Sequence, residues 1–301
     1  MGSTGMAGMA VGVGLPHNLP GVDGPALLEW ATRAERLGFH SLVTTDRLVY
    51  RGHESLVTVA AVAAVTSRIQ LLTGVLIGPV HSNTALLAKQ TASIDALSGG
   101  RLRLGLAVGA RPDDYAASGL RPDGRGAALD RQIDELRRIW AGERRGIAGP
   151  IGPAPVQADG IPILLGGQSA PAFRRVAAKG TGWISGGAGP KAFAGGLAAI
   201  RGIHAQAGRP FTGPTAALAY IALGNSAEAD ADRFVTDYYG FAPPLAAMIR
   251  SGVLTTERAL RGAAAAYEEM GCDELILVPC GADPRTLELA ADAALPVEAP
   301  V

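Results

Sequence analysis

Cysteine and lysine are both scarce in this chain, and neither sign of charge prevails. Cys272 and Cys280 are the only cysteines in 301 residues, too few for a disulfide framework. A reducing, cytoplasmic setting is therefore expected, with both thiols as buried packing. The three lysines, Lys89, Lys179 and Lys191, fall outside the apolar strand runs, which argues against Schiff-base chemistry, because that needs an amine desolvated in a pocket. Twenty-seven basic residues balance 27 acidic ones without a basic run, leaving no electrostatic footprint for nucleic acid or an anionic membrane. Residues 1–10 have neither a basic n-region nor a long apolar run, so neither a signal peptide nor a membrane span is expected there. They read as a flexible N-terminus or cloning remnant. No Gly-x-Ser-x-Gly nucleophile elbow occurs, and Val11-Gly-Val-Gly-Leu15 lacks the helix start and downstream acidic residue of a dinucleotide fingerprint.

What is present is apolar and rhythmic. With 48% hydrophobic and 18% charged residues, the chain can bury a large core at the size of one α/β barrel or two smaller domains. Strand runs are read at Val11–Leu15, His40–Thr44, Ile69–Val75, Leu102–Val108, Pro162–Leu165, Trp183–Ser185, Thr215–Leu223 and Glu274–Val278. Amphipathic helices alternate with them; Leu129, Ile133, Leu136 and Trp140 share one face, and Asp130, Arg131, Asp134 and Arg137 the other. Eight βα units predict an α/β fold, a (β/α)8 TIM barrel with short insertions at the C-terminal mouth, as a single domain over 11–295 followed by a tail, 296–301. Gly142–Gly160 and Asn225–Gly262 break the rhythm and are expected as loops over that mouth.

In a barrel, chemistry lies beyond the C-terminal strand ends. Ile161-Pro-Ile-Leu-Leu-Gly-Gly-Gln-Ser169 is an apolar strand running through a Gly-Gly turn into a helix that Ser169 can cap. It reads either as a plain βα turn or as an anion cradle of free amides at a positive helix end. Gly186-Gly187, at the next strand end, favours the cradle, since amides from both turns can wrap one phosphate. Arg125 and Arg111 are candidate charge partners. His17, His53 and His81 follow three consecutive strands, with Asp46 as a conceivable fourth metal ligand, but no His-x-His pair supports a site, so no metal is expected.

The segment from His81 through Leu97-Ser-Gly-Gly-Arg101 to Gly109, followed by Asp113-Asp-Tyr115, resembles the bacterial luciferase-like family of flavin- and F420-dependent oxidoreductases. The Gly166-Gly167 turn and Gly271-Cys-Asp-Glu-Leu-Ile-Leu-Val-Pro279 are similar to other blocks of that family, in the same order. The resemblance implies a barrel, usually dimeric, that binds reduced FMN or reduced coenzyme F420 at its mouth. It puts the phosphate on Gly166, Gly167, Gln168 and Ser169, aided by Gly186, Gly187 and Arg125. The tricyclic ring would lie near Thr73, Gly74 and Val75, where relatives carry a non-proline cis peptide in a bulge, with Val108 and Gly109 also in the cofactor site. One departure concerns Thr45-Asp46-Arg47, where relatives commonly carry a histidine in the place of Arg47. Arginine stays protonated, so it can steady an anion but cannot serve as a base. Asp46, Arg47, His81, His17 and His53 are the catalytic candidates, and Tyr238, Tyr239 and Phe241 the substrate lining. The insertion typical of luciferases is reduced to Gly142–Gly160, leaving a mouth that is more open, or closed by Tyr238–Pro244.

The implied function is a monooxygenase acting with reduced FMN and O2 on a small organic substrate, served by a separate flavin reductase. The alternatives are an F420-dependent oxidoreductase that transfers hydride without O2, and a flavin-binding protein without turnover.

Overall fold

The computed structural model of the protein describes residues 8–296. Of the expected N-terminal stretch and tail, residues 1–7 and 297–301 lie outside the described residues.

The strands are β1 (Ala10–Gly14), β2 (Ser41–Thr44), β3 (Gln70–Thr73), β4 (Leu76–Ile77), β5 (Leu102–Ala107), β6 (Ile163–Gly166), β7 (Gly182–Ser185), β8 (Thr215–Ile221) and β9 (Glu274–Pro279). They run in the order β3-β2-β1-β9-β8-β7-β6-β5-β4, and a β3–β5 pairing closes the ring. β3 and β4 are two parts of one stave against β5, so the closed parallel barrel has eight, in accord with the apolar runs. Parallel strands are covered on both faces, which is why they read as near-continuous apolar runs.

Around the barrel stand α1 (Gly24–Leu37), α2 (Ser55–Val65), α3 (Thr84–Ser98), α4 (Pro112–Ala117), α5 (Arg125–Trp140), α6 (Ala170–Lys179), α7 (Pro190–Gln206), α8 (Ala227–Tyr239), α9 (Pro243–Ser251), α10 (Glu257–Glu269) and α11 (Arg285–Ala294). Their starts are legible as side-chain caps on the first free amides: Asp23 accepts from Ala26 N, Asn83 from Leu86 N and Thr256 from Ala259 N. The core has two layers. Leu42, Leu71, Leu104, Leu165 and Trp183 point outward against the helices, while Val43, Leu72, Leu164, Ile184, Leu218 and Ile276 fill the interior. At one end of the interior Arg103 makes a two-pronged ion pair with Glu274 (2.6 and 3.0 Å), which also accepts from Ser41 Oγ. Burial alone would raise the Glu274 pKa; Arg103 and Ser41 hold it below the usual carboxylate value.

The third expected strand is split. Gly74–Val75 is a cis peptide, and beside it the Thr73 side chain takes over the ladder: its Oγ1 accepts from Gly105 N (2.8 Å) and donates to Gly105 O (2.9 Å). A Cβ on Gly105 would sit 1.9 Å from the Thr73 carbonyl oxygen, so only glycine fits.

Both stretches expected as mouth loops differ from expectation. Gly142–Gly160 follows a helix, so it lies at the opposite, N-terminal end of the barrel. There Asp95 of α3 accepts from Val156 N and Gln157 Nε2, and Gln157 also donates to Leu102 O at the start of β5. Asn225–Gly262 is largely helical, forming α8, α9 and the first turns of α10. Buried Ala227, Ala231, Phe234, Val235 and Tyr238 mark the helical face of α8.

The Leu97-Ser-Gly-Gly-Arg101 block turns out to be architectural. Gly99 and Gly100 both have positive φ, 69° and 83°, and turn the chain so that buried Arg101 donates to the Ala63, Thr66 and Ile69 carbonyls where α2 ends. A fixed cation thereby satisfies the orphan carbonyls of a helix C-terminus.

Candidate active site

A cavity of 620 Å³ opens over the C-terminal ends of the strands, within the usual range for small-molecule sites. Most sequence candidates meet there. Asp46 and Arg47 come from the end of β2, Gly74 and Val75 from the break in the third stave, and Val108 and Gly109 from the end of β5. Gly166, Gly167, Gln168 and Ser169 line one end together with Gly186 and Arg125; Tyr238, Tyr239 and Phe241 line the other.

The glycine end gathers helix starts and cations. Ser169 caps α6, accepting from Ala172 N at 3.4 Å. Gly167 has φ +127°, and a Cβ on it would lie 2.7 Å from the Ala172 methyl, so the turn requires glycine twice over. Gln168 Nε2 donates to Ser185 Oγ at 2.6 Å, tying this turn to the one at Gly186. The N-terminus of α5 faces the same space, carrying Arg125 and Gly126. Arg175 of α6 joins them with its guanidinium held by Asp130 of α5 (2.6 Å). Two positive helix ends and two arginines thus converge on one pocket. Arg175 is the residue sequence reasoning missed. Its one signal was a place two turns into a helix that opens at the glycine turn.

The other end is aromatic. The Arg47 guanidinium lies 4.4 Å from the Tyr238 ring centroid and 5.0 Å from that of Tyr50, and Arg111 lies 4.3 Å from that of Phe241. Arg47 Nη1 donates to the Tyr238 carbonyl (3.1 Å), so a residue from β2 pins the end of α8 over the cavity. Asp114 Oδ1 accepts from Leu48 N and Val49 N, fixing the loop behind Arg47. Its Oδ2 lies 3.8 Å from Arg47 Nε and 4.0 Å from Arg111 Nε, without a hydrogen bond. Tyr220 and Tyr239 share a hydroxyl–hydroxyl hydrogen bond, and burial pushes both phenols up, as it does that of Tyr238.

Several candidates stand elsewhere. His17 is buried beneath the mouth with Nδ1 and Nε2 at 3.0 and 2.8 Å from the Leu15 and Thr45 carbonyls. Burial lowers its pKa; the neutral ring has one N–H to donate to one of these two carbonyls, so it positions backbone. His53 is exposed, its Nε2 against the Val22 carbonyl, away from the cavity. Thr73 is turned into the sheet as described, and Gly187 lies behind the lining, where a Cβ would strike the Tyr220 ring at 2.7 Å. His81 is outside the lining but bonded to it: Nε2 lies 2.9 Å from Asp46 Oδ2, which also accepts from Ile77 N.

Comparison with known proteins agrees with this architecture. The model of the family described as luciferase-like monooxygenase matches residues 9–279. An uncharacterized protein of Mycobacterium tuberculosis is 35% identical over 164 residues, covering 52% of this chain and 56% of that protein. The chain thus spans little over half the length of that relative. An F420-dependent glucose-6-phosphate dehydrogenase of Kribbella flavida is 33% identical over 136 residues, 42% of this chain and 41% of that protein. Among solved structures, a monooxygenase from Streptomyces bottropensis superposes with a TM-score of 0.73 at 23% identity, covering 95% of this chain and 99% of that one. The oxygenating constituent of 3,6-diketocamphane monooxygenase from Pseudomonas putida, in complex with FMN, does so with 0.72 at 17%, covering 96% and 98%. At these identities the two structures speak for the fold.

Proposed function

Because the chain belongs to the luciferase-like monooxygenase family, we propose that it is a flavin-dependent monooxygenase that uses reduced FMN and O2 on a small, largely apolar organic substrate. The observation that carries this is the division of one cavity into an anion-binding end and an aromatic end. The phosphate would rest on the Gly166–Ser169 turn between the starts of α5 and α6, with Arg125 and Arg175 as counter-charges. The ring would lie by Gly74, Val75 and Gly109, and the substrate by Tyr238, Tyr239, Phe241 and Leu245. When bound, the reduced flavin supplies the two electrons that oxygen chemistry requires. The chain's share is to orient both partners and exclude water, with Arg47 and Arg111 fastening the end of α8 as a cover.

The glycine pattern at Val11–Leu15 belongs to β1, a stave of the closed barrel, rather than to a nicotinamide-binding turn, and the reducing equivalents are assigned to a separate flavin reductase. A homodimer completes the proposal. The outward face of α2 and α3 carries Val57, Val65, Leu86 and Leu97 at 66%, 39%, 50% and 77% exposure, with exposed Ala61 and Ala64 between them and no charge on the α2 side. A second copy of this face would cover it.

The second reading, hydride transfer with reduced F420, is favoured by the likeness to the Kribbella enzyme, and the anion-binding end suits either cofactor's phosphate. Anaerobic titration with each reduced cofactor, followed by oxygen uptake, separates the two. Tight binding of reduced FMN and substrate-dependent oxygen uptake support the first reading, and binding of reduced F420 alone supports the second.

A further inference from the structure

Most ionisable groups on the cavity wall are unsuited to taking up a proton. Arg47, Arg111, Arg125 and Arg175 stay charged. The phenols of Tyr220, Tyr238 and Tyr239 are raised by burial, and Asp114 Oδ2 is enclosed between two guanidinium groups. Among the described residues that line the cavity, Asp46 remains. Its Oδ2 is committed to Ile77 N and His81 Nε2, both at 2.9 Å, while Oδ1 has no hydrogen-bond partner within the described chain, in a side chain on the cavity wall.

Resting on the oxidoreductase reading above, we propose that Asp46 Oδ1 is the proton acceptor of the site and that His81 is its positioning residue. The step is a simple transfer. A hydroxyl or amine in the cavity loses its proton, the O–H or N–H electron pair stays on the donor, and a bond forms between that proton and Oδ1. His81 holds the carboxylate by Oδ2 so that Oδ1 faces inward, and it sets the pH response. The charged groups facing the ring are Asp46 at the end of β2 and Glu54 at the start of α2; α5 contributes the neutral Gln132, whose Nε2 donates to the His81 carbonyl. Burial by itself would depress the imidazole pKa, but the Asp46 hydrogen bond and charge hold it above the ordinary value. While His81 is an imidazolium it neutralises Asp46 and weakens it as a base. Proton uptake is therefore available above the His81 pKa and lost as pH falls through it.

The pair can be tested without cofactor. An NMR titration of the unloaded protein should give His81 a pKa above that of a free imidazole, and a lower one in Asp46→Asn. A His81 pKa unchanged by that substitution overturns the pairing. In the loaded enzyme at saturating cofactor, Asp46→Asn should lower kcat by about 100-fold or more, while a far-UV circular dichroism spectrum matching the wild type shows that the variant folds. His81→Gln can still donate to Oδ2, so it should keep a larger share of kcat than His81→Leu while its acid limb moves to lower pH. A wild-type pH profile in His81→Gln, or wild-type kcat in Asp46→Asn, refutes the assignment. Failure of the wild type to bind either reduced cofactor instead refutes the functional reading and leaves the NMR result to judge the pair.

Discussion

Replacing Arg175 by methionine keeps the length and apolar stem of the side chain and removes only the charge. Two unit charges about 4 Å apart at an effective dielectric of about 20 interact by about 4 kcal/mol. Arg175 already shares its charge with Asp130 through a 2.6 Å contact, and its side chain is 10% exposed, so a third to two-thirds of that figure is available to a bound phosphate. The substitution also leaves Asp130 uncompensated beside the anion. A loss of about 1.4–2.8 kcal/mol, roughly 10- to 100-fold in Kd, is expected. The assay is anaerobic fluorescence titration with reduced FMN and, in parallel, reduced riboflavin, which has the ring without the phosphate. Arg175→Met should weaken FMN binding and leave riboflavin binding within about twofold. The FMN deficit should shrink as salt is added, because screening weakens the wild-type contact. Equal weakening of both ligands, or of neither, would show that the pocket between α5 and α6 is not where a phosphate sits.

Arg101→Met strips the cation from the α2 carbonyl cluster and should cost at least about 3 kcal/mol by urea denaturation, with cofactor affinity retained in the folded fraction. A midpoint within error of wild type would contradict the architectural role of the Ser-Gly-Gly-Arg block. The depressed pKa of Glu274 makes its contribution present above the unfolded-state carboxylate value and lost as pH falls through the lower folded-state value. Glu274→Gln should therefore be less stable than wild type near neutrality and converge with it in acid; a difference constant with pH would count against it. Val57→Asp combined with Leu97→Asp places charges on the outward apolar face of α2 and α3 and should yield monomers by light scattering. An unchanged oligomeric state would place the contact elsewhere.

The barrel was legible because each stave is an apolar run and helices such as α1 and α5 carry a 3.6-residue stripe, periodicities that survive without tertiary context. The Ser169 cap and the glycine turn were legible for the same local reason. What escaped depends on contacts distant in sequence. Arg175 matters through Asp130, 45 positions away, and nothing near it in sequence announces that pairing. The three histidines were indistinguishable as residues that follow strands. Only the fold turns His17 onto backbone carbonyls, leaves His53 on the surface and brings His81 to Asp46. Thr73 belongs to the strand end in sequence, yet the split stave draws its hydroxyl into the ladder beside Gly105. The α8–α9 region was masked by its glycine and prolines, Gly240-Phe-Ala-Pro-Pro244, which punctuate two helices and were read as one long loop. Gly142–Gly160 has the composition of a mouth loop, but its place after a helix puts it at the opposite end of the barrel.

The central claim is that the mouth cavity holds a reduced flavin by its phosphate and presents it to oxygen and an apolar substrate. Anaerobic titration of the wild-type protein with reduced FMN, then admission of oxygen in the presence and absence of candidate substrates, tests it most directly. The account predicts saturable one-to-one binding that inorganic phosphate competes away, followed by oxygen uptake that a substrate couples to product. Absence of FMN binding together with tight binding of reduced F420 would contradict the oxygenase assignment, and absence of binding by both would contradict the site itself.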